Sequence, residues 1–223
     1  ISLQVSWDTS HQHVRQWISE STAAGRPWVV AHDEQKSHYT GVPPDRGWQG
    51  FDVVARPEHG LRAYTADDVR KFTLWGTLLA GGDGVEYYFG YTLPENDLNC
   101  ENWRSRSESW HWCAVALAFF HDEGVPFWRM QNADELVGNE AHDNSRYCLA
   151  EPGAVYVVYL PTGGTTGLDL GDNTAPFSVR WFNPRTGGAL RTGAVETVRG
   201  PGRVELGQPP ADPTDDWVVL VRR

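Results

Sequence analysis

No apolar run in these 223 residues is long enough to cross a bilayer, and no signal-peptide pattern is visible at its start. The chain opens on Ile1 rather than Met, in what already reads as a strand, so the expectation is that polypeptide is missing upstream. Basic charge is short as well: 19 Lys and Arg are interspersed with 29 Asp and Glu, for a formal net charge of -10. Nucleic acid and anionic membrane both need a basic face, so neither is expected as a partner. Cysteine is scarce, with only Cys100, Cys113 and Cys148. None stands in a Cys/His pair of zinc spacing, an odd count allows at most one internal disulfide, and Cys113 falls in a helical apolar stripe as a buried thiol would. There is no Gly-x-Ser-x-Gly, no phosphate-cradling glycine loop, no His-Glu-x-x-His, no repeat and no low-complexity tract. Asp169, Asp172 and Asn173 offer oxygens to calcium, but without the EF-hand pattern; a polar turn is the better reading. No metal or other cofactor is expected.

Tryptophan, by contrast, is abundant, with 11 copies. It fills cores and also makes flat platforms for sugar rings, and composition does not separate the two uses. Along the chain, Ile1 to Trp7 alternates like a strand. Asp8-Thr9-Ser10 supplies caps, and Val14, Trp17 and Ile18 share a helical face that Gly25 and Pro27 close. The run from Arg26 to Gln35 reads as a buried strand ending in His32-Asp33-Glu34. A long Gly/Pro/Asp-rich connection occupies residues 35–64. Thr65 and Asp68 form a capping box, and Val69, Phe72, Trp75 and Leu79 make the inner stripe of the helix that follows, up to Gly81-Gly82. Residues 84–91 read as a third strand. After an acidic loop with Asp97, Glu101 and Trp103, a helix spans residues 107–121 with a stripe of Trp110, Cys113, Ala114, Leu117 and Phe120.

Strand–helix units in series predict an α/β region with a parallel sheet. Three parallel strands alone would leave open edges, so residues 1–128 are expected to be the last three units of a larger (β/α)8 barrel. Beyond them the texture changes to short alternating strands, at 146–150, 154–160, 167–170, 177–182, 189–192, 195–198, 203–206 and 217–221. Residues 129–223 are therefore expected to form an antiparallel β-sandwich.

Parallel barrels present reacting groups at the C-terminal ends of their strands. Glu34 is the first candidate there, with Asp33 beside it; strand alternation lets only one of the two face the mouth, and parity groups Glu34 with His32 and Val30. A carboxylate so placed suits glycosidic cleavage, which needs a second carboxylate about 5 Å away for retention. His32 could orient Glu34, although a lone His is more often a satisfied polar group. Glu86, next to Tyr88 in an apolar strand, must either pair with a cation or face the mouth and hold substrate. Trp7, Trp48 and Trp103, at strand ends or in loops, are sugar-platform candidates, with packing under a loop the competing use; Trp17, Trp75, Trp110 and Trp112 sit in helices and read as core.

The segments RPWVVAHDEQ, LWGTLLAGGDGVEYYFGY, NDLNCENWRSRSESW, VYVVYLPTGG, VRWFNPRTGG and DDWVVLV together resemble bacterial glycoside-hydrolase-like barrel proteins that end in a β-sandwich named for collagen binding. The resemblance covers essentially the whole chain. It implies a retaining mechanism, with Glu34 as the nucleophile and the acid/base on a strand this sequence lacks. It further implies a secreted or periplasmic hydrolase acting on a polysaccharide or oligosaccharide, inactive as this piece alone. The barrel would be completed by its N-terminal part or by another copy of the chain. The rival readings are a non-catalytic carbohydrate-binding or adhesion module, and a structural assembly protein.

Overall fold

The computed structural model describes residues 1–36, 39–51, 63–99 and 101–223. Two compact units divide the chain: Ile1–Leu78 with Gly82–Ala114, and Leu79–Gly81 with Val115–Arg223. Position 128, the boundary expected from texture, lies inside the second.

The first unit runs β1 (Ser2–Ser6), α1 (Ser10–Ala23), β2 (Ala31–Lys36), then a helix in three parts: α2 (Ala66–Asp68), a π-helical stretch (Val69–Trp75) and α3 (Gly76–Leu79). β3 (Gly84–Val85) follows, and a 3₁₀ turn at Trp103–Arg106 leads into α4 (Ser107–Asp122). The sheet order is β1-β2-β3 with both pairings parallel, so the crossovers predicted from periodicity are present. The capping box forms: the Thr65 amide and hydroxyl both donate to Asp68 Oδ2, at 2.8 and 3.1 Å. Val69, Trp75 and Leu79 of the expected stripe are buried, each contributing about 1.5–3 kcal/mol if fully withdrawn from water.

Three local expectations are corrected. The second strand starts at Ala31, not within the run that begins at Arg26, because its ladder begins where its neighbours begin, at Ser2 and Gly84. Val29 is accordingly 66 % exposed, and Trp28 stacks on Trp17 at 5.6 Å. The third strand keeps only two ladder residues. Past it the Glu86 amide still donates to the His32 carbonyl at 3.0 Å and the Tyr88 carbonyl accepts from the Val42 amide at 2.7 Å, but between these the link to β2 is made by a side chain. Gln35 Nε2 donates to the Glu86 carbonyl (2.8 Å) and Gln35 Oε1 accepts from the Tyr88 amide (3.0 Å). In a parallel ladder a peptide makes this pair of bonds to the residues flanking its partner; here the Gln35 amide takes its place. Finally, α4 buries Trp112, Val115, Ala116, Phe119 and Phe120, whereas Leu117 is 60 % exposed and Trp110 is also exposed. The helix is apolar nearly all round, so its periodicity did not select a face.

The second unit holds β4 (Gln131–Asn132), β5 (Tyr147–Glu151), β6 (Val155–Leu160), β7 (Gly167–Asp169), β8 (Pro176–Phe182), β9 (Thr197–Arg199), β10 (Arg203–Glu205) and β11 (Trp217–Arg222). A six-stranded sheet, β4-β5-β6-β11-β8-β9, accompanies the two-stranded β10-β7, and every pairing is antiparallel. Seven of the eight expected strands are found; residues 189–192 contribute only the bridge of Arg191 to Trp181. The core packs Tyr156, Val158, Phe177, Trp181, Trp217 and Val219 with Leu168 and Leu206. β6 is buried throughout, which explains why it reads as an uninterrupted apolar run instead of an alternation. On the other face Phe182 meets Phe119 of α4 at 4.9 Å between rings. Buried carboxylates are paired: Asp134 with His142 (3.0 Å) and the Cys148 amide (2.9 Å), Asp216 with the Tyr159 hydroxyl (2.6 Å). Asp169 and Asn173 accept from the amides two residues on, as a polar turn does. Cys113 and Cys148 are free thiols, raised above the ordinary range by burial; Cys100 lies outside the described residues. No cluster of metal-ligating side chains occurs among the described residues, and no described helix is long and apolar enough to cross a membrane.

Candidate functional site

The two faces of the parallel sheet differ in chemistry. Tyr87 and Phe89 turn into a cluster with Trp7, Val42, Tyr64 and Val69. The alternate residues, Glu86 and Tyr88, lie on the opposite, accessible face, as do Ser2 and Gln4 of β1. Asp33 joins this face, since Ser2 Oγ donates to Asp33 Oδ2. Its neighbour Glu34 is also accessible, whereas His32 and Gln35 on either side are fully buried.

That order breaks simple alternation, and the register explains it. Leu3 pairs with His32 but Gln4 pairs with Glu34, so Asp33 is an extra residue, a bulge in β2. The parity argument that grouped Glu34 with His32 is therefore corrected. The inserted residue resets the phase, and both carboxylates lie on the face opposite His32. The charges of Asp97 and Glu34 reach Tyr88: burial first, then these two carboxylates, raise its phenol above the ordinary range. Asp97 is itself positioned by the Phe89 amide at 3.1 Å.

The other predicted residues distribute as follows. His32 is fully buried between Ser10 Oγ (2.7 Å) and the Glu34 carbonyl (3.0 Å), so it has no surface for substrate and is corrected from a binding to a buried residue. Trp7 is only 3 % exposed and stacks on Tyr64 at 4.9 Å; it is core, not a platform. Although Trp7 follows β1 at its end, Tyr64 and Phe72 cover it. Glu86 is exposed, so it bears no burial cost and the buried-ion-pair alternative does not apply. Trp48 is partly exposed, and Trp103 is 56 % exposed. The Trp103 carbonyl accepts from Trp110 Nε1 at 3.3 Å, and the Arg104 guanidinium lies 5.2 Å from its ring centre.

Two groups that the sequence did not single out brace the loops beyond the strands. Arg106 is fully buried over the Phe89 ring and donates to the carbonyls of Val42 (3.2 Å) and Pro94 (3.4 Å), joining the loops after β2 and β3. Asp45 accepts from the Glu108 amide at the start of α4 (2.9 Å), and burial pushes its carboxyl up to about 6. Gln35 is the third such group; a polar residue within a buried strand was the available signal. Chemically, the open face offers adjacent carboxylates, a protonated phenol and exposed indoles nearby in sequence, a set suited to polyhydroxylated ligands and to attack by a carboxylate.

Residues 133–222 match the family described as "Putative collagen-binding domain of a collagenase". A solved structure named "Glycoside hydrolase" aligns with a TM-score of 0.62 and 14 % identity, over 96 % of this chain and 46 % of that one. A glycoside hydrolase family 5 structure from Bacteroides vulgatus ATCC 8482 aligns with a TM-score of 0.63 and 15 % identity, over 96 % and 45 %. The chain thus spans just under half the length of these relatives, and at such identity the likeness is one of fold. Comparison with curated proteins finds no match. The chain is therefore glycoside-hydrolase-like in fold, and its residues 133–222 carry a domain that matches the collagen-binding family.

Proposed function

We propose that this chain is the nucleophile-bearing part of a retaining glycoside hydrolase: the last three strand–helix units of a (β/α)8 barrel, followed by a β-sandwich. The observation that carries the reading is the position of Glu34, accessible near the C-terminal end of a parallel strand and electrostatically coupled to Tyr88. In this scheme Glu34 attacks the anomeric carbon while an acid/base outside the chain protonates the leaving oxygen; water then releases the sugar. Asp33, Glu86 and Tyr88 bind hydroxyl groups, and Trp48 and Trp103 stack on sugar rings. The substrate is a polysaccharide or oligosaccharide met outside the cytoplasm, in a secreted or periplasmic setting. The missing strands come from further polypeptide of the same protein or from a second copy.

The test is reducing-sugar release from a polysaccharide panel by the chain joined to the rest of its barrel. Glu34→Gln is expected to lower turnover by about three orders of magnitude or more while leaving Tm nearly unchanged. Activity retained with a large loss of stability would make Glu34 structural. Binding without release in the unmutated protein would favour a non-catalytic carbohydrate-binding module, which the exposed indoles also suit.

A further inference from the structure

We infer that His32 is a positioning residue for Glu34, fixing the main chain at the bulge from the buried side through a relay from Ser10 to His32 to the Glu34 carbonyl. This deepens the nucleophile reading and rests on it. His32 Nε2 lies 3.0 Å from the Glu34 carbonyl oxygen, an atom that only accepts, so Nε2 carries the proton. Nδ1, 2.7 Å from Ser10 Oγ, is then the acceptor and the Ser10 hydroxyl donates to it. The tautomer is thus assigned from the hydrogen-bond network. Burial holds the ring's pKa below the ordinary value, outweighing the Glu34 and Val5 main-chain bonds and the Asp33 charge that favour protonation, so the ring is neutral.

Ser10 is the first residue of α1 and is fully buried. It lies 3.5 Å from Thr73 Oγ1 in the π-helical stretch, and the Thr73 hydroxyl donates to the Trp7 carbonyl at 2.9 Å. With both hydroxyl protons so assigned, none is left between Ser10 and Thr73, and the relay ties the peptide of Glu34 to the start of α1. Such a tie has a specific use here. A bulge interrupts the ladder locally, so strand pairing does not fully dictate how the adjacent peptide is oriented. A fixed donor behind that peptide supplies the missing restraint, and the carboxylate on the other side inherits it. Misplacing a reacting group by about 1 Å can cost on the order of 100-fold in rate.

Two conservative variants separate positioning from mere packing. His32→Gln can return an N–H donor toward the Glu34 carbonyl; His32→Asn can keep an acceptor for Ser10 but does not reach that carbonyl. In this chain, nitrogen NMR of His32 should show the neutral Nε2–H tautomer at pH 7. The carboxyl carbon signal of Glu34 should shift in His32→Asn, return in His32→Gln, and do so at closely similar Tm. In the barrel-completed protein, His32→Asn should lower kcat about tenfold or more with KM nearly unchanged, and His32→Gln should restore it. An Nδ1–H tautomer or a charged ring in the unmutated chain would overturn the relay, and that readout needs no variant to fold. So would a Glu34 signal unmoved in His32→Asn, or one displaced equally in both variants in proportion to lost stability. If the unmutated protein hydrolyses nothing while the Glu34 signal responds as expected, the relay stands and only the nucleophile reading falls.

Discussion

Asp45 and Trp103 show two ways in which a single side chain serves the loops around the open face. Asp45 is nearly fully buried, and its carboxyl is raised to about 6 from 3.8. Between those values the unfolded chain has released the proton and the folded chain has not. The unfolded state then binds fewer protons, so this group's contribution to stability falls as pH rises from about 4 to about 6 and levels off above. Asp45→Asn, which retains an acceptor for the Glu108 amide, should remove that fall; in urea unfolding the change in stability from pH 4 to pH 7 should be more positive than in the unmutated chain by on the order of 2 kcal/mol. Trp103 makes the opposite case. With more than half its surface exposed, its ring contributes little to packing. Trp103→Ala is expected to weaken oligosaccharide binding by about tenfold, read by calorimetry, while changing Tm by no more than a few degrees; the reverse result would place the ring in the core.

The loops after β2 and β3 close on each other through glycine. Gly41 and Gly90 both have positive φ, 52° and 67°. A Cβ on Gly41 would strike the Tyr88 carbonyl and the Gly90 amide; one on Gly90 would strike the Tyr39 carbonyl. Gly41→Ala should therefore cost about 2 kcal/mol or more and displace Tyr88, lowering Tm and sugar affinity together. An unchanged Tm would mean that the two loops separate freely. None of this was legible in the sequence, which marks residues 35–64 only as a long connection. What was legible followed from period and caps: the strand–helix order, the Thr65–Asp68 box and the alternation of β8. The bulge at Asp33 was invisible because the extra residue changes a register, not a composition. The buried face of α4 was equally hidden, since tryptophan, valine, leucine and phenylalanine occur around its whole circumference and only packing chooses among them.

Across the molecule, the two units meet the problem of strand edges differently. The six-stranded sheet places the long apolar strands β6 and β11 at its centre and leaves its short strands β4 and β9 at the rims. The parallel sheet is short at one rim only: among the described residues β1 and β3 each pair only with β2, and β3 has two residues whereas β1 has five. An open edge of that kind invites pairing with another chain. Sedimentation velocity on the chain alone should show association in the micromolar range, lost when the strands proposed to complete a barrel are supplied; a strictly monomeric chain would mean that its edges are already guarded. The all-β half was the more readable in outline because each strand and turn is local. The site was less so, because it is assembled from strand ends and loops far apart in sequence.

The amide of Gln35 leaves the third strand with an unusual fastening. Between the main-chain bonds of Glu86 to His32 and of Val42 to Tyr88, segment 86–88 is joined to β2 by a side chain where a ladder would use a peptide. That one amide is thus answerable for a link that substitution can remove without touching the pairing of β1 with β2 on which the carboxylates sit.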